Sequence, residues 1–264
     1  MDIYVLSSGS CGNCTFVRSG STRILIDAGL PGSTTKRFLG RVNENLEAVD
    51  AVLLTHEHRD HTRGAGVLSR QYGTKIYGTR DTFEHSNHIT NGIAEELTRP
   101  IQAGETFSIG EVEIEPVSTP HDAVNSVGYV LDTGGARFGV FTDIGRVFEE
   151  LTSRIESFDA MMLETNYDVD MLDNGPYPEF LKERIRGGKG HLSNDEAAGL
   201  LAGHANGKLT TVFLSHLSEE NNRPELVTEA LHNRLDPDTY ERMDFIMTRR
   251  GFPVSLVTLK EARV

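Results

Sequence analysis

The stretch THEHRDHTRG places four potential metal ligands within six residues, namely His56, His58, Asp60 and His61. Imidazole and carboxylate groups suit zinc, manganese or iron as ligands. A turn this tight can point alternate side chains toward two neighbouring ions. The alternative interpretation is a polar surface loop that contains histidines by chance, and the rest of the chain has to distinguish the two.

Three further candidate ligands each follow an apolar segment of strand length. They are His121, Asp143 and His216, which come after VEIEPVSTP, FGVFT and LTTVFLS. Open α/β folds gather their sites at the carboxyl ends of strands. A single His or Asp at such a point usually caps a turn, but the repeated placement after the His-rich loop favours a shared site.

Strands must position these residues. We predict strands at 3–6, 14–19, 23–27 and 50–55, and later ones in KIYG, VEIEPV, SVGYVLD, FGVFTD, DAMMLE and TTVFLS. The run at 50–55 is continuously apolar, which is typical of a strand buried on both faces.

Helical patterns are predicted at roughly 33–43, 146–156, 194–205 and 223–234. Ser193 and Glu196 have the spacing of a capping box, and Pro224 suits a first helical turn. The helix after Ser193 should share one face among Ala197, Leu200, Leu201 and His204. Strands in both halves with helices outside them predict a layered α/β sandwich.

Composition narrows the function classes. The 264 residues suit a single domain spanning 1–264. A net charge of -13 argues against bulk electrostatic coating of nucleic acid, although it leaves room for a local basic site. No apolar run approaches the roughly 20 residues of a membrane span, and MDIYVLSSGS lacks a secretory pattern. We therefore expect a cytoplasmic protein with no membrane partner.

The ordered set of Asp27 in LIDAG, the His-rich loop and the three later ligands resembles the metallo-β-lactamase-fold superfamily over essentially the whole chain. The resemblance implies a four-layer αββα sandwich with a two-metal cleft at one edge of the sheets. In this arrangement one ion would be bound by His56, His58 and His121, and the other by Asp60, His61 and His216, with Asp143 bridging both and Asp27 orienting the ligands.

Two such ions about 3.5–4 Å apart can generate a bridging hydroxide at neutral pH and stabilise both oxygens of an in-line displacement. These ligands suit Zn or Mn, and Fe is possible. A metal-binding protein with little catalysis is the rival from another class, but a scaffold needs neither seven ligands nor an open cleft.

The branch of the superfamily is indicated by smaller motifs. A β-lactamase is usually exported, the redox di-iron branch has Glu at the position of His58, and thioester hydrolases carry a GHTPG-like turn where this chain has STPHDA. HDAVNSVGY and GKGHLSNDEAA instead resemble the phosphodiesterase and nuclease branch. In that branch a His in an HLS-like motif assists catalysis, paired with a Glu in an EAT-like motif. The matching positions are His191 and Glu164, which join Asp60 as predicted catalytic residues.

SSGSCGNC, LETNYDVDML and GKGHLSN most resemble the WalJ (YycJ) subgroup, which is associated with 5′-to-3′ exonuclease action on double-stranded DNA. One departure is Tyr167, which replaces the subgroup's usual His. The sequence thus predicts a metal-dependent DNA exonuclease. The alternatives are a small cyclic phosphodiesterase or a tRNA-processing-type nuclease, and less so a thioester hydrolase.

Two remaining features concern the substrate and the cysteines. A basic run at 182–189 precedes His191, and it fits either a phosphate-binding segment or a solvated face. We predict substrate contacts from Asn166, Arg186, Lys189 and Ser193. The CxxC formed by Cys11 and Cys14 lies in a glycine-rich turn with no helix after it, so we expect a tight turn lining the cleft rather than a redox or zinc role.

Overall fold

The computed structural model describes residues 1–86 and 92–259. These residues form two compact units. The first comprises Met1–Ser118, Ala123–Ala136 and the described residues from Arg249 onward, and the second comprises Thr119–Asp122 and Arg137–Thr248. The His-rich loop belongs to the first unit, and the three later candidate ligands belong to the second.

The first unit contains a mixed sheet of seven strands. In chain order its strands are β1 (Asp2–Ser7), β2 (Cys14–Ser19), β3 (Thr22–Ile26), β4 (Ala51–Leu53), β5 (Lys75–Thr79), β6 (Thr98–Ile101) and β14 (Val257–Thr258). Their spatial order is β14-β1-β2-β3-β4-β5-β6. The pairs from β14 to β3 are antiparallel, whereas those from β3 to β6 are parallel.

Because parallel neighbours need crossover connections, helices join the parallel strands. They are α1 (Gly32–Leu39), α2 (Arg59–Thr62), α3 (Ala65–Tyr72) and α4 (Arg80–His85). Three further strands of this unit pair in an antiparallel meander, β7 (Phe107–Ile109), β8 (Val112–Ser118) and β9 (Val127–Asp132). The parallel pair β3 and β4 ends at one edge, so the residues that follow both strands meet there.

Four parallel strands form the centre of the second unit. They are β10 (Arg137–Phe141), β11 (Ala160–Glu164), β12 (Thr211–Ser215) and β13 (Asp244–Met247). Every residue of β11 and β12 is buried, which explains their continuous apolar sequences. The carboxyl ends of β10, β11 and β12 lie side by side and carry Asp143, Glu164 and His216.

Helices accompany these strands, and they are α5 (Glu149–Ile155), α6 (Val169–Asn174), α7 (Glu179–Arg186), α8 (Asn194–His204), α9 (Pro224–Arg234) and α10 (Pro237–Arg242). The capping box of Ser193 and Glu196 is present at the start of α8. Ala197, Leu200 and Leu201 are buried as predicted, but His204 is exposed, so its assignment to the apolar face was wrong. Within the described residues, every helix is too short or too polar to cross a membrane.

Candidate active site

The His-rich loop starts two residues after β4 and runs into α2. The rings of His56 and His61 are buried, and the His56 Nε2 atom lies 3.0 Å from the Nδ1 atom of His58. At this separation one cation could bind both imidazole nitrogens through their lone pairs. The loop therefore places its predicted ligands close together.

Asp27 determines the tautomer of His61. The Asp27 carboxylate can only accept, so the His61 Nδ1–H donates to Oδ2 at 2.7 Å. The Thr55 backbone N–H and hydroxyl also donate to this carboxylate, at 2.9 and 3.0 Å. A ring fixed in this way keeps its Nε2 atom unprotonated, as a metal ligand requires. The geometry supports the orienting role predicted for Asp27.

Asn13 is a site residue that the sequence analysis missed. Its Nδ2 group lies 2.9 Å from the His61 Nε2 atom and donates to the Asp60 carboxylate at 3.3 Å. Its Oδ1 atom accepts the Gly9 N–H at 2.8 Å, which holds the amide in this orientation. Within the SGSCGNC turn, the residue that contacts candidate metal ligands is therefore Asn13, which lies between the two cysteines.

Gly29 allows the backbone of the loop to approach the LIDAG segment. A Cβ atom at Gly29 would lie 1.6 Å from the Asp60 carbonyl oxygen. We expect Gly29→Ala to displace the loop and to lower the free energy of unfolding by roughly 1–3 kcal/mol or more. Gly40→Ala is the matched control, because its added Cβ would meet nothing within 4 Å.

Urea unfolding of the two variants measures this difference, and metal content after dialysis reports on the loop. Equal stability of Gly29→Ala and Gly40→Ala would contradict the close approach.

Three candidate site residues have left-handed backbone conformations. The φ angles are 59° at Asp27, 54° at Asp143 and 57° at His216. Each residue follows a strand directly or within two residues, where the backbone turns sharply. Such conformations are uncommon for residues other than glycine and cluster at functional sites.

In the second unit, Asp143, Glu164, His191 and His216 each offer a ligand atom, all within 4.8 Å of one another. The Asp143 Oδ1 atom lies 3.5 Å from the Nδ1 atom of His216 and 3.7 Å from that of His191. The donor chemistry of this cluster, two carboxylates and two imidazoles, suits a divalent cation.

His121 adds a third imidazole to this unit. Its Nδ1–H donates to the Gly190 carbonyl at 3.2 Å, and its Nε2 atom lies 3.7 Å from the Asp143 Oδ1 atom. Burial lowers the pKa of His121 below its ordinary value, despite the opposing effect of Asp143. A neutral ring held this way directs its lone pair toward a carboxylate, an arrangement that a cation would stabilise.

Glu164 and His191 form a hydrogen-bonded pair. The Glu164 Oε1 atom accepts from the His191 Nδ1 atom at 2.8 Å, and Oε2 accepts the Ile144 N–H at 2.7 Å. Burial opposes charge on both groups, but their mutual attraction outweighs it. The pKa of His191 is therefore raised and the pKa of Glu164 lowered. The pair favours an imidazolium beside a carboxylate.

The four residues predicted to contact substrate have different surroundings. Asn166 donates to the His216 carbonyl at 2.7 Å, so it positions a candidate ligand. The Ser193 hydroxyl is occupied by the capping box with Glu196. Arg186 pairs with Asp173 and Glu179, whereas Lys189 is exposed.

The rest of the basic run is also engaged. The Lys182 ammonium group donates to the Asp173 carbonyl at 2.7 Å, and Arg184 pairs with Asp122 at 2.5 Å. Much of this positive charge is thus directed to the protein itself.

Tyr167 is buried with Leu172 and Ile185. Burial raises its pKa to about 12, so the phenol is neutral.

Both cysteines are free thiols, with Cys11 exposed and Cys14 buried. Burial also raises the pKa of the Cys14 thiol well above its usual range, which disfavours the reactive thiolate.

Two bacterial relatives match most of the chain. The exodeoxyribonuclease WalJ of Streptococcus pneumoniae (strain D39) is 35% identical over 235 residues, which are 88% of this chain and 87% of the relative. The exodeoxyribonuclease YycJ of Bacillus anthracis is 32% identical over 232 residues, 88% of each chain.

A solved structure shows the fold. The metallo-β-lactamase fold protein YhfI from Bacillus subtilis superposes with a TM-score of 0.71 and 18% identity, covering 96% of this chain and 98% of that one. The predicted fold class, with mixed sheets and flanking helices, is confirmed. A model of the β-lactamase superfamily domain matches residues 22–216. The chain therefore belongs to the β-lactamase superfamily and has the metallo-β-lactamase fold.

Proposed function

We propose that the chain is a metal-dependent phosphodiester hydrolase that degrades double-stranded DNA from the 5′ end. The observation that carries this proposal is the hydrogen-bonded pair of His191 and the buried Glu164, in one cluster with Asp143 and His216. A departing alkoxide needs a proton, and a charged imidazole beside candidate metal ligands can supply it. The two relatives named exodeoxyribonucleases, at 32–35% identity, support DNA as the substrate.

The cofactor in this proposal is a pair of divalent ions, Zn or Mn, with Fe possible. The proposed ligands are His56, His58, Asp60, His61, His121, Asp143 and His216. Such ions supply a hydroxide at neutral pH and neutralise phosphoryl oxygens. Asn13 and Asp27 would hold the first unit's ligands in the required tautomer and orientation.

His191 is the proposed general acid. Its Nδ1 atom is occupied by Glu164, so the Nε2–H is the proton available to the leaving oxygen. Glu164 raises the pKa of His191 and keeps this proton in place at neutral pH. A phosphate beside His191 would also lie near the amino terminus of α8, where backbone N–H groups and the helix dipole favour an anion.

Lys189 is the residue of the basic run best suited to contact the DNA backbone. It is exposed, whereas the equally exposed Arg184 and Arg186 pair with carboxylates of the protein. Contacts from Asn166, Arg186 and Ser193 stay predictions, as do a single folding domain over 1–264 and a cytoplasmic location. Since Tyr167 is buried against Leu172 and Ile185, its replacement of the subgroup's His would act by changing the packing of this cluster rather than by adding a titrating group.

The test is degradation of 5′-labelled duplex DNA by protein stripped with a chelator. We expect Mn²⁺ or Zn²⁺ to restore release of labelled nucleotide from the 5′ end, and Asp60→Ala to lose it. If the duplex stays intact while a small chromogenic phosphodiester is cleaved, the alternative of a small-molecule phosphodiesterase is correct. If neither substrate is cleaved with any metal, the proposal is wrong.

A further inference from the structure

The first unit contains a cavity of about 490 Å³ beside the His-rich loop. This volume lies within the roughly 300–1,000 Å³ of ligand pockets. Its wall includes Arg59, Asp60 and Arg63 from the loop and Arg250 from near the end of the described chain. Candidate metal-ligand chemistry and a basic wall therefore meet in one cavity of one unit.

The sign of the charge on this wall is opposite to that of the protein. Three arginines and one acidic residue, Asp60, line the cavity, although the whole chain carries a net charge of -13. Arg59 and Arg63 are exposed and form no ion pair with any residue of the described ranges. Their charge differs in this respect from that of Arg184 and Arg186, which pair with carboxylates.

Phosphate is the ligand that matches this lining. The planar guanidinium group presents two parallel N–H donors to two oxygens of one phosphate. Ser10 and Thr34 also line the cavity, and hydroxyl side chains are common donors to phosphate and sugar oxygens of nucleic acids. Asp60 is outnumbered by the three arginines, so the wall keeps a net positive charge even without a bound metal.

We propose that this cavity binds backbone phosphates of the duplex DNA substrate next to the scissile group. The inference rests on the proposed function and extends it to substrate selection. Arg59 directly precedes Asp60, and adjacent Cα atoms are about 3.8 Å apart. A phosphate held by Arg59 and Arg63 would therefore lie close to Asp60, a proposed metal ligand that lines the same cavity.

The consequence is a preference for polynucleotides over small phosphodiesters. A small diester has no neighbouring phosphate to fill the cavity. A DNA strand does, and each contact made by an arginine releases a counterion.

The experiment measures binding of fluorescein-labelled duplex DNA to the metal-free full chain by fluorescence anisotropy at several salt concentrations. The variant is Arg63→Gln/Arg250→Gln. Each lost phosphate contact lowers the slope of log K against log salt by about 0.9, so we expect the slope to fall by about 1.8. Arg41→Gln is the matched control, because Arg41 is exposed in the same unit and stacks on Phe38 outside the cavity.

An unchanged slope in the double variant, or an equal fall in Arg41→Gln, would overturn the proposal. Arg63→Lys/Arg250→Lys guards against a folding defect, because it keeps the charge and should keep most of the slope. The measurement needs no hydrolysis. Failure of the wild-type chain to degrade DNA would therefore refute the proposed function separately, without altering the slope.

Discussion

Replacing Asp143 should nearly abolish metal-dependent hydrolysis and lower the metal content of the dialysed protein. The Asp143 Oδ1 atom lies within 3.7 Å of ring nitrogens of His121, His191 and His216. Loss of its charge leaves these imidazoles without the anion that helps them to hold a cation. Residues that hydrogen-bond to a metal ligand typically contribute 10–100-fold to metal affinity or activity. Loss of a direct ligand should therefore lower turnover by more than about 100-fold.

The backbone at Asp143 requires two variants. Its left-handed conformation is strained for alanine, whereas asparagine tolerates it better. Asp143→Asn removes only the charge, and Asp143→Ala removes charge and side chain together. Asp244→Ala, on an exposed position of β13 in the same unit, is the control.

Elemental analysis after dialysis and turnover of duplex DNA give the result. Full metal content and wild-type turnover in Asp143→Asn would exclude Asp143 as a ligand. If metal content and turnover fall in Asp143→Ala but not in Asp143→Asn, the loss is caused by the changed backbone conformation.

Replacing His191 by alanine should lower turnover by about 10²–10⁴-fold, the usual contribution of a general acid, with metal content unchanged. Metal content matters here because His191 also lies among the candidate ligands of its unit. A parallel loss of metal would make it a ligand instead of an acid.

The pH dependence of kcat gives a second readout. The protonated ring is the working form, so kcat should fall as pH rises through the raised pKa of His191. Glu164→Gln removes the carboxylate that raises this pKa, and the fall should then begin at lower pH. If the fall of kcat at high pH occurs at the same pH in Glu164→Gln as in the wild type, Glu164 does not raise the pKa of His191.

His191→Ala leaves the buried Glu164 carboxylate with fewer partners, which is costly for a buried charge. If the single variant unfolds, His191→Ala/Glu164→Gln keeps the test valid because no such charge remains.

The sequence predicted the buried strands well for a physical reason, and the strands it missed, β6, β7, β13 and β14, are only partly buried. Strands buried on both faces need continuous apolar runs, and these stand out against polar turns. The predicted strand at 14–19 coincides with β2, and the strands that carry Asp143, Glu164 and His216 were all identified. The family's ordered motif then indicated the fold, which composition alone could not do.

Short helices and through-space partners were not predictable in the same way. Helix α7 has only eight residues, and its basic side chains fitted either a phosphate-binding segment or a solvated face. The sequence shows these charges but not the acidic groups that fold against them. Asn13 was missed because an Asn beside glycine ordinarily indicates a turn, and its amide meets Asp60 and His61 only through pairing of distant segments.

The left-handed turns at Asp27, Asp143 and His216 restrict what a mutational library can sample there. A β-branched residue strains such a turn even where its side chain could bind a metal. The backbone conformation therefore limits the acceptable residues independently of metal binding. Viable variants at these positions should be dominated by Gly, Asn, Asp and His. A lineage that abandons catalysis should therefore drift toward glycine and asparagine rather than toward alanine or valine.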